Sequence, residues 1–321
     1  MMRVACSSQS EGGTGAFDRP EVLVTSSGLT QLADALSELQ DAFSIRLSPR
    51  ELPADMSKTE IIILGNEYLG TADLDRAPNL KLICRFGVHT NRVEHAALAK
   101  RGITLTNCPA ASSGSVADLA FAGLLSLVRR LDIVINPDRV PGALLTEDMD
   151  SLRFGIIGFG SLGQALCARA QGFGMPVQVW NRTPRTLPEG VISAPNLHSL
   201  VAQSDVLAVA VKGNPQTVNI LDEALLAQAT RPLWLVNVAY LEAIDPHLVT
   251  VGLRNRTING YVVDFVDPGF VEFGSHRVVM TPHVGAKTKS AVRKKASQVI
   301  SDIFAWRTGQ RPVNQIEIAQ P

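Results

Sequence analysis

Three glycines, at positions 158, 160 and 163, form a G-x-G-x-x-G turn between an apolar run at 154–157 and a helical pattern. In a dinucleotide site the first glycine permits the turn, the second admits the pyrophosphate, and the third lets helix and strand pack closely. The backbone N–H groups at the start of the new helix then face the phosphates. A second β-type run follows at 177–180, which completes a predicted βαβ unit. The expected cofactor contacts at this turn are Gly158, Gly160, Ser161, Leu162 and Gly163.

The residues after that second strand indicate which dinucleotide binds. An NAD site usually has an Asp or Glu there to bond the ribose 2′-hydroxyl, whereas an NADP site offers arginine to the 2′-phosphate. This chain has Asn181, Arg182, Thr183 and Arg185, which are one neutral amide, two guanidinium groups and a hydroxyl. The sequence therefore favours NADP(H), with NAD(H) as the alternative.

Composition excludes several classes of function. The chain has 321 residues, 45% of them hydrophobic, and its 30 basic and 30 acidic residues give a formal net charge of +0. No global field recruits nucleic acid or an anionic membrane. The cysteines show neither C-x-x-C nor zinc spacing, so we expect reduced thiols, no bound metal and a cytoplasmic protein. These cysteines are Cys6, Cys84, Cys108 and Cys167.

Apolar strands alternate with helical patterns along the chain, which predicts α/β structure with parallel sheets. The first group of expected strands is 21–25, 43–47, 61–64, 80–84 and 103–106. A long helix is expected at 115–131, and the stretch 136–150, which contains prolines and a glycine, is expected to be an excursion. The second group of expected strands is 154–157, 177–180, 206–211, 232–238, 258–264 and 278–280, and a last helix covers 287–306.

Several motifs occur in an order that resembles the D-isomer-specific 2-hydroxyacid dehydrogenase family. They comprise its substrate loop, the entry to its interdomain helix, its cofactor fingerprint, its fourth cofactor-domain strand and its catalytic histidine motif. In this chain the corresponding segments are 85–91, 106–109 with 116–119, 155–163, 235–239 and 281–285.

The resemblance implies two doubly wound parallel-sheet domains, a flavodoxin-like substrate domain and a Rossmann cofactor domain. Residues 20–110 and 288–321 would form the substrate-binding domain, and 111–287 the NAD(P)-binding domain. Residues 1–19, rich in serine and glycine, are expected to be flexible. The family also implies a homodimer, formed through the cofactor domain and the 136–150 excursion.

The catalytic residues match the family only in part. His283 fits the family's acid/base histidine, which delivers a proton to the carbonyl oxygen. Tyr240 stands where the family has the arginine that grips the substrate carboxylate, and a hydroxyl cannot replace that charged, bidentate fork. Asp267 precedes a proline on a contracted loop where the family has a glutamate hydrogen-bonded to the histidine; Glu272 is a second candidate. Ordinary 2-keto acids are therefore expected to react poorly.

Further contacts follow from the same resemblance. Substrate binding is expected at Arg85, Gly87, Val88, His89 and Tyr240. Cofactor binding is expected, beyond the glycine turn, at Asn181, Arg182, Thr183, Arg185, Val211, Lys212, Val238, Ala239, Asp264, His283 and Gly285.

Three hypotheses follow for the function. The first is an NADP(H)-dependent oxidoreductase that reduces a carbonyl and holds its substrate in an unusual way, through Arg85, Lys212 or His89 if that substrate is an acid. The second is a standard 2-keto acid reductase that tolerates Tyr240. The third is a dinucleotide-binding sensor or scaffold that has lost the chemistry, which the altered arginine and glutamate positions favour and the retained His283 opposes.

Overall fold

The computed structural model describes residues 19–31, 33–135 and 142–318. The expected flexible segment 1–19 lies outside the described residues except at Arg19, and so does the 136–141 part of the predicted excursion. The chain divides into two compact units. The first unit comprises the described residues up to Cys108 together with those from Ala296 onward, and the second unit is Pro109–Lys295.

The first unit is built on a five-stranded parallel sheet. Its elements are β1 (Glu21–Val24), α1 (Ala33–Gln40), β2 (Ser44–Leu47), β3 (Thr59–Leu64), α2 (Thr71–Asp75), β4 (Leu82–Arg85), α3 (His95–Arg101) and β5 (Thr104–Thr106). A short 3₁₀ helix at Leu29–Gln31 precedes α1. The strand order is β2-β1-β3-β4-β5, the order of flavodoxin-like sheets.

The second unit is built on a seven-stranded parallel sheet. Its elements are α4 (Ser113–Val128), α5 (Leu131–Val134), β6 (Phe154–Ile157), α6 (Ser161–Gly172), β7 (Val177–Trp180), β8 (Val191–Ser193), α7 (Leu197–Ala202), β9 (Val206–Val209), α8 (Glu223–Leu226), β10 (Leu233–Asn237), α9 (Pro246–Asn255), β11 (Ile258–Val263) and β12 (Val278–Met280). The strand order β12-β11-β10-β9-β6-β7-β8 contains the Rossmann order, with the strand reversal between β6 and β9. Helix α10 (Lys289–Arg307) follows, and its residues from Ala296 belong to the first unit.

Both faces of the seven-stranded sheet are buried, as continuous apolar strands require. Successive side chains of a strand point to opposite faces, and the two apolar clusters follow that alternation. Ile156 and Ala208 pack with residues of α4 and α6, whereas Ile157 and Leu207 pack with residues of α7, α8 and α9. The sheets and their parallel pairing confirm the predicted fold class of two doubly wound α/β domains.

Local signals explain where several helices begin and end. Asn196 accepts a hydrogen bond of 2.8 Å from the Ser199 N–H at the start of α7, and Asp245 caps α9 ahead of a proline in its first turn. Helix α3 ends at Gly102, whose φ of +64° is left-handed. The predicted helix 115–131 ends at Val128, because Arg130 adopts a left-handed conformation that separates α4 from α5.

Candidate functional site

Each of the three glycines in the turn after β6 lacks a side chain for a different structural reason. Gly158 has a φ of +98°, and a Cβ there would lie 2.9 Å from the Ala210 carbonyl oxygen. A Cβ on Gly163 would lie 2.2 Å from the Gly158 carbonyl oxygen, so helix α6 can approach the turn only without one. A Cβ on Gly160 would meet no heavy atom within 4 Å. The first and third glycines are thus needed by the chain itself, while the second leaves open space for a ligand.

Helix α6 begins directly at this open space. Gly160 is its N-cap residue and has no side chain to satisfy the first N–H groups of the helix. The Ser161 hydroxyl accepts a hydrogen bond of 3.0 Å from the Ser113 hydroxyl. Backbone N–H groups that point outward from a helix start are suited to phosphate oxygens.

The end of β7 is joined to this turn through Asn181. Its Oδ1 accepts from the Phe159 N–H at 2.9 Å, and its Nδ2 donates to the Thr183 carbonyl at 2.5 Å. The amide therefore holds two turns together. Beyond it, Arg182 and Arg185 are exposed, and neither forms an ion pair or side-chain hydrogen bond within the described parts of the chain.

The loop after β9 is compact and touches Tyr240. Its Thr217 hydroxyl lies 2.9 Å from the Lys212 carbonyl, and the Lys212 side chain is exposed. A Cβ on Gly213 would lie 2.6 Å from the Tyr240 ring, so the ring packs directly against this backbone. Val211 also reaches the glycine turn, with its Cγ1 3.1 Å from the Cβ position of Gly158.

The end of β10 is held by Asn237. Its Nδ2 donates to the carbonyls of Tyr240 and Leu241 at 3.0 and 3.3 Å, which turns the chain after the half-buried Val238 and Ala239. The Tyr240 hydroxyl makes no hydrogen bond to any residue that the structure describes. The Tyr240 ring is therefore fixed by packing, and its hydroxyl is left to bind a ligand.

Asp264, after β11, holds the segment that carries the candidate catalytic histidine. Its carboxylate accepts from the Thr281 hydroxyl at 2.6 Å, from the Val284 N–H at 2.8 Å and from the Gly285 N–H at 2.8 Å. His283 lies between these anchors with a left-handed φ of +52°. A non-glycine residue keeps such a conformation only where its surroundings impose it, and Asp264 supplies that constraint.

The two candidate carboxylates for His283 are engaged elsewhere. Asp267 accepts from the Gly269 N–H at 2.8 Å and caps the 3₁₀ helix Pro268–Phe273. Glu272 forms an ion pair with Arg254 at 2.7 Å. Among the residues that the structure describes, none forms a hydrogen bond or ion pair with the exposed His283 ring.

The expected substrate loop lies in the first unit, after β4. The Gly87 carbonyl accepts from the Cys108 N–H at 2.9 Å, and the Val88 carbonyl accepts from Asn107 Nδ2 at 2.7 Å. His89 is exposed. Arg85 is 9% exposed and donates from Nη2 to Asn66 Oδ1 at 2.7 Å.

Sequence reasoning missed two partners of these residues, Asn66 and Thr281. Thr281 precedes the histidine by two positions, so its place in the Thr-Pro-His segment was a usable signal. Asn66 follows a different strand from Arg85, and no local pattern joins the two. The described residues also contain no group of three His, Cys, Asp or Glu side chains that could hold a metal ion. No helix of the described chain is long and apolar enough to span a membrane.

The second unit fits a dinucleotide. It combines open space at Gly160, unsatisfied N–H groups at the start of α6 and a doubly wound sheet whose strand order reverses beside this turn. These features define an α/β dinucleotide-binding scaffold, and His283 is held at the same sheet edge.

Comparison with known proteins agrees with that class. The family model described as "D-isomer specific 2-hydroxyacid dehydrogenase, NAD binding domain" matches residues 123–285. A glyoxylate reductase of Thermococcus litoralis is 30% identical over 80% of this chain and 82% of its own length. A 2-ketogluconate reductase of Gluconobacter oxydans is 28% identical over 76% of this chain and 81% of its own.

A solved structure shows the same fold. It is described as a putative D-isomer specific 2-hydroxyacid dehydrogenase from Polaromonas, has 23% sequence identity and a TM-score of 0.82, and the match covers 93% of this chain and 100% of that one. The chain belongs to the D-isomer specific 2-hydroxyacid dehydrogenase family. It is an NAD(P)-dependent oxidoreductase, as the sequence predicted.

Proposed function

We propose that the chain is an NADP(H)-dependent reductase of a carbonyl compound, with His283 as its acid/base. In this proposal the second unit binds the cofactor and the first unit binds the substrate. The observation that carries it is the shared sheet edge of the second unit, where the open glycine turn and the Asp264-anchored histidine segment follow β6, β11 and β12.

The preference for NADP(H) rests on the residues after β7. Asn181 brings no negative charge, and its amide is already bonded to Phe159 and Thr183. Arg182 and Arg185 are exposed, and no described carboxylate pairs with either. A 2′-phosphate would therefore find two available guanidinium groups and no acidic competitor.

The chemistry assigned to His283 is delivery of a proton to the substrate oxygen. When bound, the reduced nicotinamide supplies a hydride to the carbonyl carbon. Asp264 holds the backbone on both sides of His283, so the ring can be presented without a carboxylate bonded to it. In that arrangement Asp264 positions His283, and Asp267 caps the 3₁₀ helix that follows it.

The names of the similar proteins suggest the substrate class. Proteins similar to this chain reduce glyoxylate and 2-ketogluconate, both of which are 2-keto acids. Tyr240 packs its ring against Gly213, and its hydroxyl carries no positive charge for a carboxylate. The proposed substrates are therefore of two kinds: 2-keto acids whose carboxylate is bound by a cationic side chain at another position, and carbonyl compounds that lack a carboxylate.

We further propose a homodimer in the cytoplasm. Several apolar side chains near the end of α4 and the following segment are exposed, and a second copy of this chain would cover them. The exposed residues are Leu131, Val134, Ile135 and Leu145. The described cysteines Cys84, Cys108 and Cys167 are buried and form no disulfide with one another, which accords with reduced thiols.

The proposal is tested by oxidation of NADPH and of NADH with a panel of carbonyl compounds. The panel pairs glyoxylate, pyruvate and 2-ketogluconate with aldehydes and ketones that lack the carboxylate. We expect turnover with NADPH and at least about tenfold weaker binding of NADH, since a charge-assisted pair contributes about 1.5–3 kcal/mol. Tight NADPH binding without turnover of any compound would overturn the enzymatic proposal in favour of a sensor.

The arginines provide a matched variant. In the double variant Arg182→Gln/Arg185→Gln we expect NADPH affinity to fall about tenfold while NADH affinity stays the same, because only NADPH carries the 2′-phosphate. Isothermal titration with both cofactors measures this. Equal losses for both cofactors would contradict the assignment of these arginines to the 2′-phosphate.

A further inference from the structure

The part of the second unit that follows His283 carries an excess of positive charge. The whole chain has 30 acidic and 30 basic residues, yet no acidic residue lies between Glu272 and Asp302. Four basic side chains of this interval are exposed, and none of them forms an ion pair or a side-chain hydrogen bond within the described parts of the chain. These four residues, which we call the basic segment, are Lys287, Lys289, Arg293 and Lys294.

The stability of helix α10 does not explain the basic segment. The start of a helix carries a partial positive charge and favours acidic residues, but the first turn of α10 contains none. Lys289 and Arg293 are four positions apart in the helix, where two like charges repel. The helix start is capped by Thr288, whose hydroxyl accepts the Ala291 N–H at 3.1 Å. The cations therefore oppose helix formation, and an anion near them would offset that repulsion.

The basic segment begins close to the glycine turn. A Cβ on Gly285, two residues before Lys287, would lie 3.3 Å from Val116 Cγ2 on α4. Val116 follows Ser113 by three residues, which is about 4.5 Å along the helix axis. The Ser113 hydroxyl donates to the Ser161 hydroxyl at the start of α6, at 3.0 Å. All of these residues belong to the second unit, so the excess charge lies on the unit that carries the proposed phosphate site.

The nearest carboxylates on these elements already have partners. Asp264 accepts three hydrogen bonds from the His283 segment, and Asp118 on α4 pairs with Arg169 at 2.9 Å. Exposed unpaired charges act over the Debye length, which is about 30 Å at 0.01 M salt and about 8 Å at 0.15 M. A surface with charges of one sign raises the local concentration of ligands of the opposite sign.

We propose that the basic segment attracts the anionic dinucleotide toward the glycine turn and so raises the rate at which the cofactor associates. The inference rests on the proposed cofactor binding and goes beyond it, because it gives a kinetic role to residues outside the expected cofactor contacts. Charge complementarity identifies the ligand, since NADPH carries a pyrophosphate and a 2′-phosphate. Long-range attraction acts before the ligand docks, so it changes the association rate constant far more than the dissociation rate constant.

The test measures association of NADPH with the full chain by stopped-flow fluorescence of the nicotinamide. It compares the wild type with Lys287→Gln/Lys289→Gln/Arg293→Gln/Lys294→Gln. At an ionic strength of about 10 mM we expect the association rate constant to fall about tenfold in this variant, and at about 500 mM we expect the difference to disappear. The dissociation rate constant should stay within about twofold. With NADH, which lacks the 2′-phosphate, the fall at low ionic strength should be about threefold.

A matched control changes the net charge by the same amount in the first unit. It replaces three lysines and one arginine that are exposed and precede β3, β4 and β5. The control variant is Lys58→Gln/Lys81→Gln/Lys100→Gln/Arg101→Gln. We expect its association rate constant for NADPH to stay within about twofold of the wild type. Thermal unfolding checks the fold of both variants, and the double variant Lys287→Gln/Lys289→Gln should show an intermediate loss of rate.

Three results would overturn the inference: an unchanged association rate at low ionic strength, an equal loss in the control variant, or a loss found only in the dissociation rate. The third would instead indicate direct contact with the bound cofactor. Oxidation of NADPH by the same samples with a carbonyl compound tests the proposed function separately. If NADPH is oxidised but associates independently of the basic segment, the inference fails and the reductase proposal stands. If association depends on the basic segment but no carbonyl compound is reduced, the reductase proposal fails and the inference stands.

Discussion

The turn after β6 and the ends of β10 and β11 lie at the same edge of one sheet, yet they are built in different ways. At the turn, backbone atoms decide the geometry, since Gly163 permits an approach to Gly158 that any side chain would block. At the ends of β10 and β11, side chains decide it. Tyr240 packs on Gly213, and Asp264 draws the histidine segment toward the sheet.

The difference predicts that the proposed cofactor binding and the proposed proton delivery by His283 can be altered separately. The turn does not accept even a small side chain at Gly163, because a Cβ there would collide with the Gly158 carbonyl. A side chain at the end of a strand can be replaced without disturbing the strand. Tyr240 and Asp267, which stand at the positions of the family's arginine and glutamate, are two examples. Variants in the two regions should therefore affect different measurements.

The largest expected effect is on turnover in His283→Asn. Asparagine tolerates the left-handed φ of +52° at this position, so the fold should be kept while the acid/base is lost. We expect kcat to fall by about 10²–10⁴ with NADPH affinity unchanged. Steady-state kinetics and cofactor titration measure the two quantities. Turnover equal to that of the wild type would remove His283 from the mechanism, and His247→Asn, on α9, serves as the control.

A substitution in the turn should have the opposite profile. In Gly163→Ala the new Cβ would meet the Gly158 carbonyl at 2.2 Å, so helix α6 must shift. We expect a loss of about 1–3 kcal/mol in the free energy of unfolding and at least about tenfold weaker NADPH binding.

Gly160→Ala is the matched control for that variant. Its Cβ would meet no protein atom within 4 Å, so the free energy of unfolding should not change. NADPH affinity should nevertheless fall, because the methyl group would occupy the space expected for the pyrophosphate. Unchanged NADPH affinity in Gly160→Ala would contradict a phosphate site at this turn.

A moderate effect is expected from the carboxylates near His283. Asp264→Asn leaves one of three donors without an acceptor, at a cost of about 1–3 kcal/mol, and loosens the His283 segment. We expect kcat to fall about tenfold, whereas Asp267→Asn, which alters only the cap on Gly269, should keep kcat within about threefold. The pH dependence of kcat/KM checks the assignment: a shifted profile in Asp267→Asn would show that Asp267 does reach the histidine.

The smallest effect on catalysis is expected at the opposite edge of the sheet, where Asp205 accepts three hydrogen bonds from Arg153. Burial alone would raise the pKa of Asp205, but the bonds from Arg153 outweigh it and lower that pKa below the ordinary value of an aspartate. A lowered folded-state pKa stabilises the fold above the unfolded value, and this stabilisation is lost as pH falls through the folded-state pKa.

We therefore expect Asp205→Asn to lose about 1–3 kcal/mol of unfolding free energy at pH 7, with no change in kcat. The difference between the two proteins should shrink below about pH 4, where the unfolded carboxyl begins to protonate. Urea unfolding between pH 3 and pH 7 measures it. A difference that stays constant over this range would show that the carboxylate charge contributes nothing.

The sequence predicted the strands of both sheets well because their apolar runs are local and continuous. Strand β8 and helix α7 were missed: the strand has three residues with mainly exposed side chains, and the helix has six. The amphipathic pattern over 29–39 predicts one helix, whereas the structure has a 3₁₀ helix at Leu29–Gln31 followed by α1, since periodicity alone does not distinguish a continuous helix from two short ones.

The glycine turn was predictable because each glycine acts on atoms close to it in the chain or in the adjacent strand. The surroundings of His283 and Arg85 were not, since they depend on the paths of separate loops. The path of the contracted loop brings the Asp267 carboxylate to the Gly269 N–H, and residue spacing alone does not predict that path. Likewise, the pairing of Arg85 with Asn66 joins the ends of two strands.

The first unit is assembled from both ends of the chain, and this has a consequence for synthesis on the ribosome. Ile316 donates its N–H to the Leu105 carbonyl at 2.8 Å, and Asn314 bonds the buried Asp302. These partners follow the whole second unit in the chain and are translated after it. The nascent chain must therefore carry an unfinished first sheet, with one border of β5 unpaired, until residues 314–316 emerge. Release of the chain near residue 296 would yield a polypeptide in which the second unit can fold and the first unit cannot. Such a polypeptide would expose apolar surface that chaperones and proteases recognise.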